Sequence, residues 1–383
     1  MDRKDYEDSL AQQSWLSLET VKSIVKAVDY KALHEAMPIK EIFDAQKIII
    51  TGMGDSYCAG IAMKPVFEKV AKVETEVWRA VEFSRIMSSK QLGFSPNTPM
   101  VIGISVSGNP ARVQECLERA NHYHANTILV TDQPNSPTAQ VARHVVYMGL
   151  PEGTPYGPGA NSYIGSLVSL TLMAIRMGRA KGTINQNVWE DMSKSILEYA
   201  EAFQEKMAEY NDQAFEIAKE WKDLKAYDFI GDYADYATAF FGSAKVLEAF
   251  GGYTTYDDSE DWNHINFFLA EPEKIGRVIV ANEDTPSFNR LQETAKTVES
   301  LGSPCIVVTD ADASAFPKGF HVFQTPKPKY DWLNPVLQHW CFSLVAGYIS
   351  TLSNIEQFRR SNPIWQTELG KKRLRGKTEI KLV

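Results

Sequence analysis

The chain has 383 residues, 44% of them hydrophobic, enough for a buried core and for two domains. Its formal net charge of −8, with no basic face outside the C-terminal stretch, speaks against nucleic acid as a partner. No apolar run is long enough to span a membrane, and the charged start "MDRKDYEDSLAQQSW" has no signal-peptide core, so a cytoplasmic protein with no membrane partner is expected.

In chain order, a leading helix is expected over about 15–36, within an N-terminal helical segment 1–44. A first α/β unit, 45–182, then follows. The strand "KIIITG" meets the glycine-rich turn "GMGDSYCAG" and a helix; after the strand-like "TEVWRA" come "PMVIGISVSG", the helix "ARVQECLERANHYHA", "TILVTD" and "HVVYMG". The run "SYIGSLVSLTLMAIRMG" reads as a buried helix closing this unit. A charged helical connector covers 183–222. A second copy, 223–354, repeats the order: "AYDFIGD", the helix "YATAFFGSAKVLEAFG", "GRVIVANEDTPS", the helix "NRLQETAKTVESLG", "CIVVTD" and "FHVFQTP". A tail, 355–383, ends the chain.

The strands are short, nearly continuous runs of Val and Ile, as expected of strands covered on both faces. Their alternation with helices makes the sheets parallel. The expected fold is α/β: two tandem doubly wound parallel sheets of the flavodoxin-like kind, with flanking helices. Ligands in such sheets sit beyond the carboxyl ends of the strands. The four cysteines are far apart and form no CxxC, so they read as reduced core thiols. The seven histidines show no metal-binding spacing. No metal or cofactor is expected.

Two loops of the first copy suit a phosphate. In "SVSGNPA", Ser105 and Ser107 put two hydroxyls on a turn, Gly108 lets the backbone approach a ligand, and the helix beginning near Pro110 offers unpaired N–H groups. A plain helix cap is the competing reading. The other loop, "GMGDSYCAG", begins GxG, but Tyr57 stands where a dinucleotide site has its third glycine, and a Walker loop's GK[ST] ending is missing. The second copy has "ANEDTPS" at the equivalent place, where Glu283 and Asp284 would repel an anion.

Taken in order, "GMGDSYCAG", "ISVSGNPARV" and "TILVTDQPNSPTAQVARHVV" resemble the sugar isomerase (SIS) domain family. From about Lys47 to the C-terminus the chain resembles double-SIS phosphosugar isomerases and deglycases, including the isomerase half of glucosamine-6-phosphate synthase. The resemblance implies phosphate binding by Ser56, Ser105 and Ser107, with Gly54 and Asn109 nearby. The family's Thr after the Ser-Gly-Glu-type run is absent from "GNPA". The pocket segment "PEGTPYGPGANSY" lacks the synthase's Ser-Thr-Lys run. "AKVLEAF" matches the helix of the catalytic Glu, here Glu248. Sixteen residues on, His264 matches the ring-opening His, but Ile265 and Asn266 replace the usual Gly-Pro. The ending "RGKTEIKLV" implies that Lys377 reaches the active site.

The chemistry suits these types. A carboxylate can carry a proton between neighbouring sugar carbons, a histidine can assist ring opening, and an amine can stabilise an enediolate or form a Schiff base. Plainer readings stand beside them: a solvated helix face for Glu248, a polar core or turn residue for His264, and a solvated basic tail for Lys377. The resemblance implies a phosphosugar isomerase, or a fructosamine-6-phosphate deglycase, working through an enediolate or enolamine in carbohydrate metabolism. It also implies a homodimer with active-site parts from both chains. With only about 45 residues before the first copy, no glutaminase domain is expected. The rival class is a non-catalytic sugar-phosphate sensor.

Overall fold

Ten short strands build two five-stranded parallel sheets among the residues that the structure, a computed structural model, describes: 2–92, 99–366 and 375–377. The first sheet contains β1 (Lys47–Gly52), β2 (Glu74–Arg79), β3 (Pro99–Ile104), β4 (Asn126–Thr131) and β5 (His144–Tyr147). Its order is β2-β1-β3-β4-β5. The second contains β6 (Ala226–Gly231), β7 (Tyr253–Asp257), β8 (Ile275–Val280), β9 (Cys305–Thr309) and β10 (His321–Gln324), ordered β10-β9-β8-β6-β7. The second order is the first read from the other edge, so the copies share one topology. Ile50 of β1 lies opposite Val77 and Ile102, and Phe229 of β6 opposite Tyr256 and Val278. In each sheet the order reverses beside the first strand, which opens a crevice at that strand's carboxyl end.

The helices show where local chemistry breaks a long amphipathic pattern. The single leading helix expected over 15–36 is instead a run of short ones: α1 (Ser9–Trp15), α2 (Ser17–Ala27), α3 (Tyr30–Ala36) and α4 (Ile39–Asp44). Asp8 caps α1 by accepting the Leu10 and Ala11 N–H groups, and Asp29 caps α3 by accepting that of Ala32. Aspartate at these points starts a new helix rather than continuing the old one. Within the first α/β region lie α5 (Asp55–Val66), α6 (Ala80–Arg85) and α7 (Ala111–His122), followed by the long α8 (Ala160–Lys181). The connector is two helices, α9 (Gln186–Glu205) and α10 (Met207–Trp221), parted at Lys206. Then come α11 (Ala234–Ala249), α12 (Ser259–His264), α13 (Phe288–Ser300), α14 (Asn334–Leu337) and α15 (Trp340–Leu352).

The chain divides into two compact units. The first comprises Glu19–Glu152, Ser162–Ile196 and Pro363–Val383; the second comprises Met1–Leu18, Gly153–Asn161 and Leu197–Asn362. In the first, Ile49, Phe83, Val101, Val113, Leu117 and Leu129 form a buried layer between sheet and helices. A Cβ on Gly103 would come within 3.1 Å of Leu117, which shows how closely α7 lies on β3. In the second, Ile230, Trp262, Ile279, Leu291, Val298 and Val307 do the same work. There α1 packs on α15, and the Asp8 carboxylate lies so close to Gly347 that a Cβ there would be 2.7 Å away. All four cysteines are buried and none is in a disulfide. Burial pushes the Cys116 thiol up to about 12.

Candidate functional site

The first unit's turn after β1 is tight. Gly52 lies against Ser56, where a Cβ would sit 2.8 Å from the serine Cβ. Gly54 caps α5 with φ +54, and nothing lies within 4 Å of where its side chain would be. Gly54 has no side chain to cap α5, and Ser56 lies in its first turn.

The turn after β3 is tied to the turn after β4. Ser105 N–H donates to Val130 (3.0 Å), and Asp132 N–H and the Thr131 hydroxyl donate to the Val106 carbonyl (3.0 and 3.1 Å). The Thr138 hydroxyl donates to the Gly108 carbonyl at 2.7 Å. Gly108 has φ +59, and a Cβ on it would lie 1.9 Å from the Ser136 hydroxyl. Both the left-handed backbone and the crowding demand glycine. A cavity of about 450 Å³ opens here, lined by Ser107, Asn109, Gln133, Asn135, Ser136 and Asp132, with Val106. The Ser105 hydroxyl is buried and has no hydrogen-bond partner among the described residues. α7 begins directly after Pro110 and also has no side-chain cap. The arrangement offers hydroxyls, amides and helix-start N–H groups to an anion. The acidic liner, Asp132, turns Oδ1 to the Leu150 N–H at 2.9 Å, and burial raises its pKa.

In the second unit the corresponding turns are filled from within. Tyr233 holds the backbone shape of Gly54, with φ 57 and ψ −119 against φ 54 and ψ −126. Two residues on, where the first copy has Ser56, stands the buried Asp235. Its carboxylate accepts from the Asn282 side chain (2.6 Å), the Asn282 N–H (3.3 Å) and the Thr285 hydroxyl (2.7 Å). Asp232 accepts both the N–H and the hydroxyl of Ser259, and the hydroxyl of Ser287. Burial pushes the Asp235 carboxyl up to about 7, against the pull of its donors. Glu283 and Asp284, the acidic residues of "ANEDTPS", share Lys327.

Glu248 and His264 both belong to the second unit. Glu248 is on the last turn of α11, its side chain 31% exposed and paired with Lys245, which is wholly buried. Lys245 also lies over the Phe241 ring, 4.3 Å from its centre. The sequence reading missed Lys245, although its place three residues before Glu248 puts the two on one helix face. His264 is the exposed last residue of α12. The segment after it is fastened to the core. Asn266, one of the two residues replacing the usual Gly-Pro, donates to Asp228 and to Thr255 at 3.1 Å each. Trp262 also donates to Asp228, which is ion-paired with the buried Arg277. Lys377 lies in the first unit, its Nζ 2.8 Å from Glu118 on α7. The "TEIKLV" that completes its motif falls outside the described residues. Gln133, Asn135 and Ser136 were also unread as site residues. Nothing local in the sequence pointed to them: the crowding of Gly108 by Ser136 appears only in the fold.

Asp257, Asp258 and Asp261 are the one carboxylate group close enough to share an ion among the described residues. Asp258 already accepts the Glu260 and Asp261 N–H groups, and Asp257 that of Asp258, so the group reads as a capped helix start. Among the described residues no helix is long and apolar enough to cross a membrane.

Residues 41–176 match the SIS domain family. Over 265 residues the chain is 27% identical to the glutamine–fructose-6-phosphate aminotransferase [isomerizing] of Clostridium tetani (strain Massachusetts / E88), covering 68% of this chain but 41% of that protein. The chain thus spans less than half the length of this curated relative. Among solved structures it is similar to the C-terminal domain of glucosamine-fructose-6-phosphate aminotransferase from Francisella tularensis. That match has a TM-score of 0.79 and 17% identity, and covers 93% of this chain and 100% of that one. It is also similar to tagatose-6-phosphate ketose/aldose isomerase from Escherichia coli, with a TM-score of 0.70, 14% identity, and 91% and 93% covered. Residues 41–176 thus match a SIS domain, and the second unit repeats the strand order of the first.

Proposed function

We propose that the protein is an enzyme that binds a sugar phosphate at the first unit's loops and moves a proton between its first two carbons, as an isomerase or as a fructosamine-6-phosphate deglycase. The observation that carries the reading is a cavity of about 450 Å³ lined by Ser107, Asn109, Gln133, Asn135 and Ser136 at an uncapped helix start, with the buried, unpartnered Ser105 hydroxyl in the same turn. An unpaired buried hydroxyl is costly, and a phosphate oxygen would satisfy it. Ser56, Ser107, Asn109 and the backbone at Gly54 complete the anion site. The relatives named above act, by their names, on fructose 6-phosphate and tagatose 6-phosphate, which supports the substrate class.

The chemical roles rest on the motif match. Glu248, ion-paired with Lys245, is the base that takes a proton from one carbon and returns it to the next. His264 assists ring opening. Lys377 stabilises the enediolate, or forms a Schiff base with a ketose carbonyl. In the deglycase variant the same proton transfer precedes loss of the amine.

A panel of sugar 6-phosphates and fructosamine 6-phosphates tests the reading, with exchange of the C1 or C2 hydrogen against deuterated solvent as the second readout. At least one compound is expected to turn over. Glu248→Gln should keep ligand binding and lower kcat by roughly a hundredfold or more, with exchange falling in parallel. Binding without turnover or exchange across the panel would favour the sensor reading. Near wild-type exchange in the Gln variant would remove Glu248 from the base role.

A further inference from the structure

A second cavity lies within the first unit, lined from four sequence segments. It measures about 200 Å³, and its lining includes Val25 of α2, Tyr30 and Leu33 of α3, Leu172 and Arg176 of α8, and Trp189 of α9. None of these residues belongs to the phosphate loops. Leu172 and Arg176 are four apart on α8, and Trp189 and Ser193 four apart on α9, so each helix turns one face to the cavity.

Arg176 is 3% exposed. A guanidinium offers five N–H donors, and a buried charge is ordinarily met by a carboxylate. Here the only polar side-chain partner among the described residues is a ring nitrogen of His34, 3.2 Å from one terminal nitrogen. The Nε is buried with no partner. The group lies over the Tyr30 ring, 5.3 Å from its centre, and Tyr30 in turn meets Trp189 edge-on at 6.1 Å. Asp29, at the rim, is exposed, and its Oδ1 is taken by the Ala32 N–H. The result is an apolar and aromatic chamber with a cation on its wall and no anion paired with it.

We propose that this cavity binds a small carboxylate with an apolar or aromatic body, its carboxylate on Arg176 and its body against Val25, Leu33, Leu172 and Trp189. The volume fits that class. Drug-sized pockets run to roughly 300–1,000 Å³, whereas an apolar cavity of about 150 Å³ accepts benzene. A planar guanidinium is also the side chain best shaped for a carboxylate. The site is independent of the phosphosugar reading and stands or falls separately from it.

Isothermal titration of the full chain with phenylacetate, and with neutral phenylacetamide of the same shape, tests the site. Phenylacetate should bind saturably at one site per chain, and the amide at least tenfold more weakly. Arg176→Met should weaken phenylacetate at least tenfold. Ser193→Phe, which keeps the arginine and fills the chamber, should weaken it as much, and decides the matter if the methionine variant does not fold. Binding should be unchanged in Ser105→Ala with Ser107→Ala. No saturable binding, equal binding of the amide, wild-type affinity in the folded variants, or loss of binding in the serine pair would each overturn the proposal.

Discussion

Ser105 and Asp235 are both buried, beside turns at the strand ends of their own sheets, and in chemical terms they are opposites. The serine hydroxyl has no partner among the described residues, while the aspartate carboxylate is itself the anion in its turn and has its donors around it. A ligand phosphate therefore gains hydrogen bonds at the first site and would have to displace a carboxylate at the second. Ser105→Ala together with Ser107→Ala is expected to raise KM on the order of tenfold for each charge-assisted bond lost, with a smaller effect on kcat. Thr285→Ala with Ser287→Ala should leave KM near wild type, because those hydroxyls serve Asp235 and Asp232. Steady-state kinetics on any turned-over substrate decide this; equal KM effects from both pairs would end the assignment.

α5 and α11 start from turns of the same backbone shape, but the residue two past the cap sets what each start can hold. Ser56 leaves α5 open to an external anion. Asp235 closes α11 on an internal one, at a cost that shows in its titration. An unfolded aspartate titrates near 3.8, whereas the buried carboxyl sits at about 7, raised chiefly by burial. The folded state holds this proton more tightly. Its contribution to stability is therefore complete below about 3.8 and is lost as pH rises through about 7. Asp235→Asn carries no such titration. Its Tm, measured against wild type by thermal melts, should gain steadily from pH 4 to pH 8. His339, held down at about 3 mainly by burial, works with the opposite sign in wild type and variant alike, so the difference isolates Asp235. A difference in Tm that does not change with pH would show that Asp235 is not the group responsible.

The second unit leaves apolar side chains on its surface beyond α12: Ile265 is 58% exposed, Phe268 77% and Leu269 37%. Contiguous exposed apolar groups mark interaction surfaces more often than chance, and they directly follow His264. The homodimer expected from the sequence would cover these side chains. Sedimentation velocity at micromolar concentration should give a dimer, and Ile265→Asp with Phe268→Asp should shift it toward monomer while each chain stays folded by circular dichroism. A wild-type monomer with full turnover would refute the dimer.

Strand positions, the repeat and the parallel sheets were legible in the chain because they depend on local composition: runs such as "KIIITG" and "CIVVTD" can be buried only as strands between helices, and their recurrence in order sets the topology. The glycine-rich turns after β1 and β3 were legible for the same reason, since a left-handed turn at Gly108 is a property of one residue. β7, "YTTYD", escaped notice because an edge strand needs no continuous apolar run, and α15, which follows β10 as α8 follows β5, was not carried over from the first copy. The break at Asp29 was readable only with the cap in view. The remaining features, Asp235 filling its own turn, Lys245 pinned to Glu248, Asn266 tied to Asp228 and Arg176 left facing an aromatic chamber, are matters of which side chains meet. Several of these partners lie tens of residues apart or more. Burial and pairing set their charge and availability, and both exist only once the chain has brought distant segments together.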